Sequence, residues 1–312
     1  MRGDIDTLLA DFADPWEHAR LLSDAPRNAL LVSLLSQHAR EGVVVEVGCG
    51  TGVFSVLAAR MGAAHVYALE PSGLWTTARD LVRANGLSAR VTVLPLSVEA
   101  FAAAPPVGFS GADLVFSELL NADPFAEGVV EASAAARLLL APGGVLAPSH
   151  LDVFAALVDA EAWQDLAGAQ AALRELGSTH GLDLGPAARL LAGAAPEPFV
   201  SPSVRLRSQK HRIFSVDLRA AEAPPAPVDL VLTPEGPAPV GGVAVWFSAT
   251  YGPDVCLSNE PGRPGHWGTL VAALPRPVAG AVRVVLDPSD GGLDVAAFAA
   301  AAPATAQPPR RG

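Results

Sequence analysis

The chain has 312 residues, half of them hydrophobic and 17% charged, with a formal net charge of −11. That length supports one large or two ordinary domains with a substantial core, and the composition excludes a disordered chain. The acidic balance argues against a nucleic-acid partner held by phosphate contacts and fits a cationic small molecule or basic peptide.

In chain order, residues 15–41 predict one or two helices, with leucines at helical spacing and a break at Pro26. VVVEV (43–47) reads as a buried strand, Gly48–Gly52 as a turn, and 53–62 as a helix ended by Gly62. A strand at 65–70, a helix at 73–85 and a strand at 91–96 follow. DLVFSE is the next strand, EGVVEASAAARLLL the next helix, and Pro-Gly-Gly at 142–144 a turn. This alternation predicts an α/β fold with a parallel sheet covered on both faces. After Pro148 the pattern changes: LDVFAALVD is strand-like, 162–177 and 186–193 are helical, and VRLR, IFSVDLR, VDLVLT, VAVWFSATY, TLVAALP and VRVVLD are short strands. Such runs between Pro/Gly turns predict an antiparallel barrel or sandwich.

The expected division is N-terminal helices at 1–41, a parallel-sheet domain at 42–149, and an antiparallel domain at 150–300 with a helical insertion at about 163–198. A Pro/Ala-rich tail at 301–312 is expected to be disordered. Cys49 and Cys256 are too few for a disulfide framework or structural zinc, so no metal is expected. The acidic start is no signal peptide, and no apolar run reaches the roughly 18–20 residues of a membrane span. A cytoplasmic location without a membrane partner is the expectation.

Two segments carry chemistry. VEVGCGTG sets Gly48, Gly50 and Gly52 between a strand and a helix, where backbone can approach a ligand and free amides point at it. Glu70 ends the next strand, where a carboxylate can grip ribose hydroxyls. DLVFSELLNADPFAEG (113–128) then places Glu118 and Glu127 nine residues apart on a loop after a buried strand. Paired carboxylates match the fork of donors on a guanidinium, which stays charged at any physiological pH.

The glycine spacing resembles the first motif of Rossmann-like methyltransferases, which bind S-adenosylmethionine and release S-adenosylhomocysteine. In such folds Val98 and Glu99 fall where the adenine is held. The serine-glutamate-loop-glutamate segment resembles the double-glutamate loop of the protein arginine methyltransferase family. Other pieces agree in order. PWEHARLLSDAPRN (15–28) is similar to the family's N-terminal helix segment, HGLDLGPAARLL (180–191) to the start of its dimerisation arm, and GHW (265–267) to its threonine-histidine-tryptophan loop. The resemblance implies a Rossmann-like domain followed by a β-barrel domain with a helical dimerisation arm, assembled as a homodimer. The arm's alternative is a capping hairpin within one subunit.

It also implies roles: Glu118 and Glu127 as the guanidinium clamp, Arg27 meeting the cofactor's carboxylate, and His266 pairing with an acid for which Asp24 is the candidate. Trp267 is a candidate for substrate binding, and His18 matches a further position near the site. Gly265 departs from the family's threonine. Leu119-Leu120-Asn121 departs from Trp-Met-Gly and looks more like the monomethylating branch, so product and substrate size stay open.

Bacterial relatives that methylate free L-arginine, as in streptozotocin-type routes, fit a chain without recognition modules. Free L-arginine, monomethylated, is therefore expected ahead of peptide arginine, with Arg205, Lys210 and His211 nominated for its α-carboxylate and α-amine. A catalytically silent cofactor-binding partner protein is the alternative from another class.

Overall fold

The structure, a computed structural model, describes residues 15–159, 164–186, 199–201, 204–253, 255–288 and 291–300. Helices α1 (Pro15–Ser23) and α2 (Ala25–His38) open it. The break between them falls at Asp24 and not at Pro26. Asp24 caps α2 by accepting from the Arg27 amide at 3.0 Å, and Pro26 sits in the first turn, where its missing N–H is not needed.

Five parallel strands follow: β1 (Val43–Val47), β2 (His65–Leu69), β3 (Val91–Leu94), β4 (Ala112–Ser117) and β5 (Leu140–Ala147). They are joined by α3 (Val53–Arg60), α4 (Trp75–Ala84), α5 (Val98–Ala103) and α6 (Val129–Arg137). Val44, Val45, Leu114 and Val115 are fully buried, as apolar runs covered on both faces must be. The sheet order is β3-β2-β1-β4-β5, so the connection reverses direction between β1 and β4. Loops leaving the carboxyl ends of those two strands share one crevice, where ligands bind in open α/β sheets. One is the glycine loop and the other carries both glutamates. One expectation fails at the sheet's edge: Pro142-Gly143-Gly144 is not a separate turn but an irregularity within β5, where its register with β4 shifts.

The second half contains β6 (His150–Asp159), α7 (Gln164–His180), β7 (Phe199–Ser201), β8 (His211–Asp217) and β9 (Val228–Leu232). It continues with β10 (Val240–Gly252), β11 (Val255–Ser258), β12 (Thr269–Val278), β13 (Val282–Asp287) and β14 (Asp294–Ala299). One antiparallel sheet runs β7-β12-β10-β6-β8 with β11 on β10, and a smaller one runs β14-β13-β9. VRLR is not a strand; Leu206 alone bridges to Val158. The Ala-rich β14 has no strong alternation and escaped the sequence reading. All but the first residue of the predicted helix at 186–193, the arm's stretch 187–198 and the tail at 301–312 lie outside the described residues.

One apolar core runs from Leu31 and Leu34 on α2 through the parallel sheet to Phe247, Leu274 and Val284, so the two halves pack as a unit. Among the described residues no helix is long and apolar enough to cross a membrane.

Candidate active site

The glycine loop is tight for a physical reason. At Gly48 φ is +68°, and a Cβ there would lie 2.8 Å from Leu119 Cδ2 on the glutamate loop. The Gly50 amide donates to Glu70 Oε2 at 2.7 Å, while the Ser72 amide donates to Oε1 at 2.9 Å. Glu70 is thereby buried and fixed beside the loop. A Cβ on Gly50 would meet His18 Cε1 at 3.0 Å, which puts His18 over the glycines. Val98 and Glu99 begin α5, capped by Ser97 accepting from the Ala100 amide at 3.3 Å. His18, the loop glycines Gly48 and Gly50, Glu70, Val98 and Glu99 all line a single cavity of about 730 Å³. Gly52, just after the loop, has φ +78° and packs against Ala78 of α4.

Glu118 and Glu127 line the same cavity. Glu118 leaves the end of β4, and its side chain is only 8% exposed. Its Oε2 is held by the Arg27 guanidinium, with Nε donating at 2.6 Å. Its other oxygen, Oε1, is buried with no hydrogen-bond partner among the described residues. A buried carboxylate oxygen left unmatched is costly, and a ligand donor would relieve it. Arg27 is thus placed on Glu118, a contact the sequence did not suggest.

Asp24 and His266, 242 residues apart, meet in the fold. Asp24 Oδ2 accepts from both the His266 amide and Nδ1 at 2.8 Å. Trp267, next in sequence, donates from Nε1 to the Leu120 carbonyl at 2.9 Å, and its ring lies edge-on to Phe247. The Tyr251 hydroxyl donates to the Ser117 carbonyl at 2.9 Å. The second sheet therefore grips the glutamate loop directly.

The family pattern for ribosomal protein L11 methyltransferase (PrmA) matches residues 28–149, which is the parallel-sheet half from α2 onward. Over both halves, the chain is 29% identical across 275 residues to an arginine N(omega)-methyltransferase of Streptomyces achromogenes subsp. streptozoticus, covering 85% of this chain and 72% of the relative. It is 37% identical across 143 residues to a probable protein arginine N-methyltransferase 6.1 of Oryza sativa subsp. indica, covering 45% of this chain and 36% of that protein. The alignment thus spans about a third of the plant relative's length. A crystal structure of Arabidopsis thaliana protein arginine methyltransferase 10 superposes with a TM-score of 0.71 at 20% identity, covering 89% of each chain. The fold is shared with it over that length. In sequence and in fold the chain is similar to class I protein arginine methyltransferases.

In this methyltransferase the electrostatics follow from burial. Burial, opposed by Arg27, raises the Glu118 carboxyl to about 7. Burial and then the neighbouring Glu118 raise Glu127 to about 8, with a hydrogen bond from Asn121 pulling the other way. Burial likewise lowers His266, so its contact with Asp24 is a hydrogen bond from a neutral ring more than an ion pair. Burial opposes ionisation of Asp24, but the Arg27 amide and His266 outweigh it and hold Asp24 below its ordinary value.

The site fits S-adenosylmethionine on two observations of the chain itself: a glycine cradle that a Cβ would fill, and a buried acid already fastened to backbone amides where a ribose would lie. Glu46 was missed. It lies in β1, lines the cavity, accepts from the Ser55 hydroxyl, and is raised to about 8 mainly by burial. An acid inside VVVEV was its signal, since buried strands rarely carry one. Among the described residues no cluster of His, Cys, Asp or Glu could hold a metal ion.

The residues nominated for a free amino acid's termini are elsewhere. Lys210 pairs with Glu260 at 3.0 Å and Arg205 with Asp159 at 3.7 Å, and neither they nor His211 line the cavity.

Proposed function

We propose that this arginine N-methyltransferase modifies a terminal guanidino nitrogen of arginine carried in a peptide or protein. The supporting observation is the pair of acids at the switch point, Glu118 and Glu127, with Glu118 Oε1 buried and unmatched. Relatives named as protein arginine methyltransferases add weight, and so does the placement of Arg205, Lys210 and His211 away from the cavity. A second reading, free L-arginine, is favoured by one observation: the relative aligned over 85% of this chain is an arginine N(omega)-methyltransferase.

In this reading Gly48, Gly50, Glu70, Val98 and Glu99 hold S-adenosylmethionine, which supplies an electrophilic methyl group when bound. Glu118 and Glu127 accept N–H bonds from the guanidinium and draw its positive charge toward those nitrogens. One terminal nitrogen is left richer in electrons and turned toward the methyl group. When it is methylated it loses a proton, and a carboxylate pair with raised pKa values is matched to take that proton near neutral pH. His18 and Trp267 exclude water at the rim, while Asp24 and His266 tie α2 over the crevice.

The pair also sets a pH dependence. Both carboxyls stand above their ordinary value of 4.5, so protons must leave for the guanidinium to be clamped. Guanidine affinity is expected to rise from about pH 6 to about pH 9, with proton release detectable by calorimetry in buffers of different ionisation enthalpy. The stability sign is opposite. A carboxyl raised on folding contributes stability below its unfolded pKa, and that contribution is lost as pH rises through 7 to 8.

A homodimer through the arm is part of the proposal. Leu176 and Leu182 are 47% and 53% exposed there, apolar surface that a partner subunit would cover. The deciding experiment is mass spectrometry with S-adenosylmethionine and either free L-arginine or an Arg-rich peptide. Methylated peptide supports the first reading; product on free arginine alone replaces it with the second.

A further inference from the structure

We infer that Tyr251 is a positioning residue for the guanidinium clamp, fixing the peptide unit that carries Glu118, a role that rests on the function proposed above. The parallel sheet stops supporting the chain just before that acid. β4 pairs with β5 as far as Phe116 and with β1 as far as Ser117. Glu118, the next residue, depends on what holds the chain beyond the ladder. The Tyr251 hydroxyl on β10 donates to the Ser117 carbonyl at 2.9 Å, across 134 residues of sequence. That carbonyl shares one rigid plane with the Glu118 amide, so the bond limits how the Glu118 backbone can turn. Trp267 Nε1 donates to the Leu120 carbonyl at 2.9 Å and pins the other end of segment 117–120.

Between the two pins lie Glu118 and Leu119. Glu118 Oε2 is held by Arg27, and Leu119 Cδ2 lies 2.8 Å from where a Cβ on Gly48 would stand. The pinned segment therefore sets the clamp at a fixed distance from the glycine loop.

A buried phenol needs an acceptor in any fold, so the bond by itself would assign no role. The strand geometry and the choice of acceptor do. Thr250 pairs with Cys256 and Gly252 with Val255, which leaves Tyr251 as the extra residue of a β-bulge between β10 and β11. A bulge bends its strand and re-aims a side chain, and this one falls at the residue that reaches the parallel sheet. The acceptor it reaches is the carbonyl joined to Glu118. Tyr251 is 1% exposed, and burial pushes its phenol well above the ordinary value, so it stays a donor. It does not line the cavity, so it acts through Glu118 and not on substrate.

The test is a double-mutant cycle on methyl transfer with Tyr251→Phe, Glu118→Gln and the double variant. The acceptor is whichever guanidine, free L-arginine or an Arg-rich peptide, the wild type methylates. Tyr251→Phe keeps the ring and removes the hydroxyl. Its kcat is expected to fall about tenfold, since misplacing a reacting group by about 1 Å can cost about 10²-fold. KM for the guanidine and Kd for S-adenosylmethionine should stay within about threefold, because both clamp charges and the glycine loop are untouched. In the Glu118→Gln background the same substitution should change kcat by less than about twofold, since the group it positions is already disabled. Ser208→Ala is the control for stability. It removes another buried hydroxyl, which accepts from the Leu157 amide at 2.9 Å outside the cavity lining, and should leave kcat unchanged. A wild-type kcat in Tyr251→Phe overturns the inference. So does a tenfold loss that persists in the Glu118→Gln background, or an equal loss in Ser208→Ala. If Tyr251→Phe does not fold, Trp267→Phe takes its place in the cycle, and additive losses there overturn the inference. A wild type that methylates neither guanidine sinks the proposed function, and this inference with it.

Discussion

Glu118→Gln is expected to lower kcat/KM for guanidine methylation by about 10³-fold or more, equivalent to about 4 kcal/mol of transition-state stabilisation. The substitution keeps shape and volume but removes the charge at Oε1, the buried carboxylate oxygen that has no hydrogen-bond partner among the described residues. A neutral amide cannot draw positive charge within the guanidinium, and its NH2 group would face either Arg27 or the substrate's own donors. Cofactor affinity should stay within about threefold, because Gly50, Glu70 and Ser72 are bonded to one another and not to Glu118. Isothermal titration with S-adenosylmethionine, run beside turnover, separates the two effects. A variant that turns over near the wild-type rate would remove Glu118 from the clamp.

Arg27→Met is expected to be strongly destabilising. Arg27 and Glu118 have side chains 9% and 8% exposed and are paired directly. Removing one partner of a buried ion pair costs about 3–5 kcal/mol, because the remaining charge stays desolvated. Glu118 can escape that cost by taking a proton. Arg27 is what holds its pKa down to about 7, so in the variant the folded pKa moves higher. A carboxyl raised in the folded state favours the native protein at low pH and loses that contribution as pH rises. The deficit of Arg27→Met should therefore be small at pH 5 and largest near pH 9. Urea unfolding at both values checks this, and Arg27→Met with Glu118→Gln should cost less than the sum of the singles. Equal deficits at both pH values would mean that the pair contributes no charge coupling.

Much of this was legible in the sequence because it is local. A strand end followed by paired acids, and a strand followed by three glycines, are short-range patterns, and the sheet order brings the two loops together. The Asp24–His266 contact came only from resemblance; nothing in spacing joins residues 242 apart. Three things were not legible. The Arg27–Glu118 pair depends on how α2 lies across the crevice. Glu46 looked like one more strand residue, since its partner Ser55 sits on the next helix. Arg205, Lys210 and His211 looked available, but Glu260 and Asp159 hold the first two outside the cavity. Ordinary propensity signals also failed where tertiary pairing overrode them, as with Pro142-Gly143-Gly144 inside β5 and the Ala-rich β14.

The central claim is that the two glutamates hold a guanidinium for methyl transfer. Its most direct test is tandem mass spectrometry of an Arg-rich peptide and of free L-arginine after incubation with the enzyme and methyl-labelled S-adenosylmethionine. Label on a terminal guanidino nitrogen, abolished by Glu118→Gln, is the predicted result. Label on any other atom, or guanidine methylation that survives Glu118→Gln, would contradict it.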